Sequence, residues 1–279
     1  MTLKSILVHV DDSPQCEHRL EVATRLARDF GAHLSGIYVV PLPVVPAIMS
    51  TGYFPEGFIA EQEELERERA AKAKSAFDAH MARTGIAPEW RQREGALASI
   101  VSMNARYADL TIVSQADPSS RPGYEILELP AEVALTSGRP ALVVPFIGAG
   151  RTVGTHVLVG WNASREATRA VNDAIPLLQR AKKVTVLAVD PEGGPEGHGE
   201  VPSADIALHL ARHGIKVEAA QTVAGDIDVG DAMLSRAADL GADLIVVGAY
   251  GHSRMREFIL GGVTRHLLQH MTVPLLISH

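Results

Sequence analysis

The chain is a tandem repeat, and this restricts its fold more than any other feature. Residues 108–114 read ADLTIVS and residues 242–248 read ADLIVVG. After each comes a variable stretch and then a second apolar run, RPALVVP at 139–145 and VPLLISH at 273–279. The matching strand ends Ser114 and Gly248 lie 134 residues apart, as do Pro140 and Pro274. At the starts of the copies, SILVHVDDS (5–13) aligns with HVLVGWNAS (156–164) at an offset of 151. The offset shrinks by 17, so the first copy carries extra residues in or near Pro41–Ser75. That stretch opens PLPVVPAIMSTGYFPEGF, rich in Pro, Gly and aromatics, and reads as a loop. The copies span 1–147 and 154–279, with GAGRTVG at 148–154 as the linker.

Each copy alternates short apolar runs with amphipathic stretches. The runs of the first copy are Ile6–Val10, Leu34–Val40, a weak one near Glu89–Arg91, Leu110–Ser114 and Ala141–Pro145. Those of the second are Val157–Trp161, Val184–Val189, Val217–Gln221, Leu244–Gly248 and Leu275–Ser278. Runs this short and rich in Val, Ile and Leu predict strands buried on both faces, with helices between them. The expected class is α/β, with a mostly parallel five-stranded sheet in each copy. Ser13 and Ser164 stand where helix N-caps belong. Segment 61–82 carries Glu63/Arg67 and Glu68/Lys72 at i,i+4 spacing, which predicts a solvated helix face.

Composition narrows the function. With 46% hydrophobic and 21% charged residues, the chain can bury two cores. A formal charge of −7 with no Lys/Arg cluster argues against nucleic-acid binding. The single cysteine, Cys16, excludes an intrachain disulfide and a cysteine-based zinc site. No apolar run reaches the roughly 18 residues that cross a bilayer, and the N-terminus shows no signal-peptide pattern. A cytoplasmic protein without a membrane span is the expectation.

The segment Val246–Thr264, VVGAYGHSRMREFILGGVT, is where chemistry is most readable. A buried strand ends at Val247, Gly248 and Gly251 follow, and Gly261-Gly262 precedes the last helix. Gly248 allows a sharp turn at the carboxyl end of the strand, where ligands bind in open α/β sheets. Gly261-Gly262-Val263-Thr264 would present backbone N–H groups at a helix N-terminus, with the Thr264 hydroxyl as a further donor, an arrangement suited to phosphate. The spacing is neither a Walker A loop nor G-x-G-x-x-G.

Gly248, Gly251 and Gly261 stand at the intervals of G-x2-G-x9-G-[ST], and the segment resembles the nucleotide motif of the universal stress protein family. The ending VTRHLLQHMTVPLLIS is also similar to that family's last helix and strand. The likeness covers both copies, so the chain resembles a tandem universal stress protein. The resemblance implies two Rossmann-like domains of the adenine nucleotide alpha hydrolase-like type, pairing through their last strands into an internal pseudo-dimer, with a homodimer of chains as a further option. It implies ATP binding in some members and none in others, and the glycines make the second copy the expected site of ATP with Mg²⁺. The hydroxyl residue after the third glycine is Gly262 here, and Thr264 matches a second hydroxyl position. The family's nucleoside-contacting Asp is Asn162. Val189 and Val247 match positions beside the base, Trp161 could wall the adenine pocket, and Val263 lies in the phosphate turn. His252 is the one histidine the motif places as a phosphate donor.

The first copy keeps Asp11 and Ser13. Ser114, Asp117, Leu127 and Glu128 replace the glycines, and Pro130 replaces Thr264. Carboxylates repel phosphate and side chains crowd the backbone, so a triphosphate is not expected there. His266 and His270 have metal-compatible i,i+4 spacing but no third ligand in sequence, which predicts solvent exposure. No sequence motif supplies a general base. The expected function is an ATP-binding stress or signalling protein rather than an efficient enzyme. The alternatives are a non-nucleotide small-molecule or lipid binder, motivated by the apolar Pro41–Phe58 insertion, and a slow ATPase.

Overall fold

All ten apolar runs become strands. In the first copy these are β1 (Ser5–His9), β2 (His33–Val40), β3 (Glu89–Glu94), β4 (Leu110–Ser114) and β5 (Ala141–Val144). In the second they are β6 (His156–Gly160), β7 (Lys183–Val189), β8 (Val217–Thr222), β9 (Leu244–Gly248) and β10 (Leu275–Ser278). The computed structural model describes residues 2–42, 57–115, 129–191, 203–249 and 262–279. Within each copy the strands are parallel and follow the same order, β3-β2-β1-β4-β5 and β8-β7-β6-β9-β10.

The copies meet where β5 and β10 pair antiparallel, Val143 opposite Leu275 and Ala141 opposite Ile277. Two five-stranded halves thus form one ten-stranded sheet. Pairing the two last strands removes two sheet edges from solvent, and both strands are buried throughout.

Helices cover both faces. On one lie α1 (Cys16–Phe30), α2 (Phe58–Thr84), α5 (Arg165–Leu178) and α6 (Ala204–Arg212); on the other lie α3 (Leu97–Ala105), α4 (Leu129–Ser137), α7 (Val229–Leu240) and α8 (Gly262–His270). Alternation along β1 shows how the strands feed the two layers: Ile6 and Val8 join the first core, Leu7 the second. Each core layer runs through both copies, so the halves share their apolar interior as well as their sheet. Among the described residues no helix is long and apolar enough to cross a membrane.

Local readings fare unevenly. Ser164 caps α5 as expected, its hydroxyl accepting from the Ala167 N–H at 3.1 Å. Ser13 does not cap α1: Gln15 holds the N-cap position, and the Ser13 hydroxyl instead donates to Asp11 Oδ1 at 2.5 Å. On α2 the i,i+4 pairing of Arg67 with Glu63 gives way to an i,i+3 pair with Glu64, at an exposed site where several partners are nearly equivalent. The loop expected over Pro41–Ser75 is helical from Phe58 onward, because Ala70, Ala73, Phe77 and Met81 bury one face against the core. Residues 43–56 of that loop lie outside the described residues.

Candidate functional site

The site forms at the carboxyl ends of β6 and β9. After Gly160 the chain turns through Trp161-Asn162-Ala163-Ser164 into α5. The Asn162 Oδ1 accepts the Ser164 N–H at 3.2 Å, and Ala163 sits at φ 56°. A side chain at Gly160 would meet the Met233 methyl at 2.5 Å and Val247 Cγ1 at 2.9 Å. A Cβ at Gly248 would lie 2.4 Å from the Ala167 nitrogen and from the Glu166 carbonyl carbon. Gly248 therefore serves close strand–helix approach rather than a left-handed turn, because its φ is not positive.

From the opposite side α8 presents its first turn. Gly262 is exposed with open space where a Cβ would stand. Thr264 is buried, its hydroxyl 3.5 Å from the Gly248 carbonyl, tying α8 to the end of β9.

Together these elements enclose a cleft lined by Gly160, Trp161, Asn162, Ser164, Ala167, Leu187, Val189, Val229, Met233, Val247, Gly248, Gly262, Val263 and Thr264. Its volume is about 180 Å³. That is several times the roughly 30 Å³ share of a water molecule, so it can take part of an organic ligand. One wall is apolar (Leu187, Val189, Val229, Met233, Val247), and the other is built from the first turns of α5 and α8. Helix N-termini attract anions, and no ionisable side chain lines the cleft among the described residues. A flat apolar group on one side and an anionic group on the other suit this arrangement.

Eight sequence-derived site residues, Trp161, Asn162, Val189, Val247, Gly248, Gly262, Val263 and Thr264, all line this one cleft. Trp161 also packs against the core. Gly251, His252 and Gly261 lie outside the described residues. Gly160, Ala167, Leu187, Val229 and Met233 also line the cleft and escaped sequence reasoning. The last two read as ordinary core positions on α7, whereas Gly160 could have been found as a strand-end glycine opposite His9 in the repeat.

At the matching positions the first copy carries larger or charged side chains. His9, Asp11, Arg19 and Ser114 match Gly160, Asn162, Ala170 and Gly248 by the repeat offsets. Arg19 is 1% exposed and lies on the buried face of α1. Its Nε donates to the His9 carbonyl at 2.9 Å, its Nη1 donates to the Ser114 hydroxyl, and its Nη2 lies 2.6 Å from Asp11 Oδ1. Burial alone would raise the Asp11 carboxyl, but the Arg19 guanidinium, with His9 and the Ser13 hydroxyl, holds it down at about 2. Burial pushes the His9 imidazole down to about 4, against the pull of Asp11. A neutral imidazole and a closed ion pair thus stand where the second copy has Gly160, Asn162 and Ala170. Of the expected obstructions in this copy, the Ser114 hydroxyl accepts from Arg19 and Pro130 is buried in α4. Asp117, Leu127 and Glu128 lie outside the described residues.

His266 is not simply solvent-exposed: its Nε2 meets Asp231 Oδ1 of α7 at 2.8 Å, and His270 stacks on it at 4.2 Å. Among the described residues no group of three or more His, Cys, Asp or Glu is arranged to hold a metal ion.

Comparison with known proteins agrees with this architecture. No curated protein matches the chain. Among solved structures, a universal stress protein from Archaeoglobus fulgidus DSM 4304 superposes with a TM-score of 0.70 at 17% identity, covering 98% of this chain and 97% of its own. A protein of unknown function from Pseudomonas aeruginosa PAO1 superposes with a TM-score of 0.57 at 13% identity, covering 99% and 92%. At these identities the likeness is one of fold. The sequence pattern of the universal stress protein family itself matches residues 2–121 and again 155–279. The chain belongs to the universal stress protein family, with two of its domains in tandem.

Proposed function

We propose that the second copy binds an adenine nucleotide, ATP, in the cleft between β6 and β9, and that the first copy does not. One observation carries this reading: eight residues picked out by the nucleotide motif and its partner positions converge on a single cleft. The base would lie against Val189, Val247 and Met233, with the Asn162 amide able both to donate and to accept toward the nucleoside. The phosphates would face the Gly262–Thr264 turn and its amides. The described lining holds no carboxylate, so Mg²⁺ would be carried by the phosphates and water. Binding that orders this end of the molecule would alter a surface read by a partner, a population shift rather than turnover.

The test is calorimetric titration of ATP into wild type, Val189→Arg and Arg19→Met. Heat should be retained in Arg19→Met and lost in Val189→Arg. Equal, negligible heats in all three would refute the proposal, and equal binding in all three would move the site elsewhere. Phosphate release above a buffer blank would add a slow ATPase activity to the same site.

A further inference from the structure

Both helices whose first turns wall the second-copy cleft are held at a distance from it by the first copy. Gln269 lies in the last turn of α8, where backbone carbonyls have no partner within the helix. Its carbonyl accepts a hydrogen bond at 3.0 Å from Nε2 of Gln115, the residue that follows β4. The Oε1 of the same side chain accepts the Phe146 N–H at 2.8 Å, and the Gln115 N–H donates to Val144 at 2.7 Å. A carbonyl can only accept and an N–H can only donate, so the two contacts fix the amide in one orientation. On α5, Arg169 donates to the Gly138 carbonyl just beyond α4 at 2.8 Å. That bond is exposed, whereas Gln115 is buried between the copies.

We infer that Gln115, a first-copy residue, is a positioning residue for the second-copy site. It sets where α8 lies along its axis, and with it the Gly262–Thr264 turn at the other end. Nine residues of α8 span roughly 13 Å at 1.5 Å per residue, short enough for the helix to move as one piece. The Thr264 contact with Gly248 is long at 3.5 Å and the 2.8 Å pairing of His266 with Asp231 of α7 is exposed, so the Gln115 bond is the better-sheltered polar constraint on the helix. By linkage, whatever binds at the first turn of α8 tightens the contact at its last turn and is felt in the first copy. The inference rests on the cleft being the ligand site.

The variants are Gln115→Glu, which keeps the acceptor for Phe146 but loses the donor to Gln269, and Gln115→Met, which keeps the volume and loses both. Hydrogen exchange is followed over 262–270 in ligand-free protein, with ATP affinity measured alongside. Loss of one buried hydrogen bond should speed exchange in α8 about fivefold, leave β6 and β7 unchanged, and weaken ATP severalfold without a change in enthalpy sign. Unchanged α8 exchange in both variants would overturn the inference. So would faster exchange with unchanged ATP affinity. Faster exchange in a protein whose wild type binds no ATP would confirm the hold on α8 and refute the nucleotide reading instead.

Discussion

The two copies share strand order, helix placement and core layers, yet at one location they are opposites. The second copy leaves a cleft, walled by glycines and two helix N-termini. The first places a buried network at the matching positions, in which Arg19 reaches Asp11, the His9 carbonyl and Ser114. The difference comes from four matched positions: Gly, Asn, Ala and Gly in one copy against His, Asp, Arg and Ser in the other. The first copy thus carries a self-contained ionic network at these positions, within the same strand order and helix placement. The network also explains a local departure. With a side chain at Ser114, the helix after β1 begins at Cys16, two residues later in the repeat than α5, which packs against the bare backbone of Gly248.

The strongest way to break this comparison is to remove Arg19. Arg19→Met leaves the Asp11 carboxylate buried and unpaired, and should destabilise the first copy by about 3–5 kcal/mol. Adding Asp11→Asn removes the orphaned charge and should restore much of that loss. Denaturant unfolding of the single and double variants measures both. A double variant no more stable than the single would show that the orphaned Asp11 charge is not the source of the loss.

Acid provides a second contrast. The folded His9 imidazole titrates near 4 rather than 6.5, so folding favours its neutral form. The associated stability is complete above pH 6.5 and is lost as pH falls toward 4, amounting to about 3 kcal/mol at 1.36 kcal/mol per unit. Asp11, held near 2, stays charged across that window and gives up its contribution only below 3.8. Unfolding monitored from pH 7 to 4.5 should show this loss in wild type and a flatter profile in His9→Leu. The second copy carries Gly160 at that position and should lack this titration.

The smallest effect sharpens the open side. Gly262 has free space where a Cβ would stand, so Gly262→Ser fits and adds a hydroxyl to the α8 turn. ATP affinity should rise by roughly fivefold, the worth of one hydrogen bond of about 1 kcal/mol. Calorimetry would read it, and a weaker complex would place the phosphates away from this turn.

Much of this was legible in the chain. Strands buried on both faces are continuous apolar runs, and repetition in register makes even the weak run at Glu89 recognisable. The Ser164 cap was readable because it depends on neighbours three residues away. The Arg19 network was not, since its partners come from β1, the turn after it and β4, up to 95 residues apart in sequence. A clue was present: Arg19 falls in line with Cys16, Leu20 and Ala23 on the apolar face of α1, a place for a charge only if something inside receives it.

By itself the sequence determined the duplication, the α/β class and the asymmetry of the glycine positions, because those follow from local pattern and spacing. The tertiary structure alone decided why Gly248 must be glycine, what receives the Arg19 charge and which first-copy residue bonds to α8. Each depends on atoms brought within a few ångströms by strand pairing and helix packing, distances that spacing along the chain does not encode.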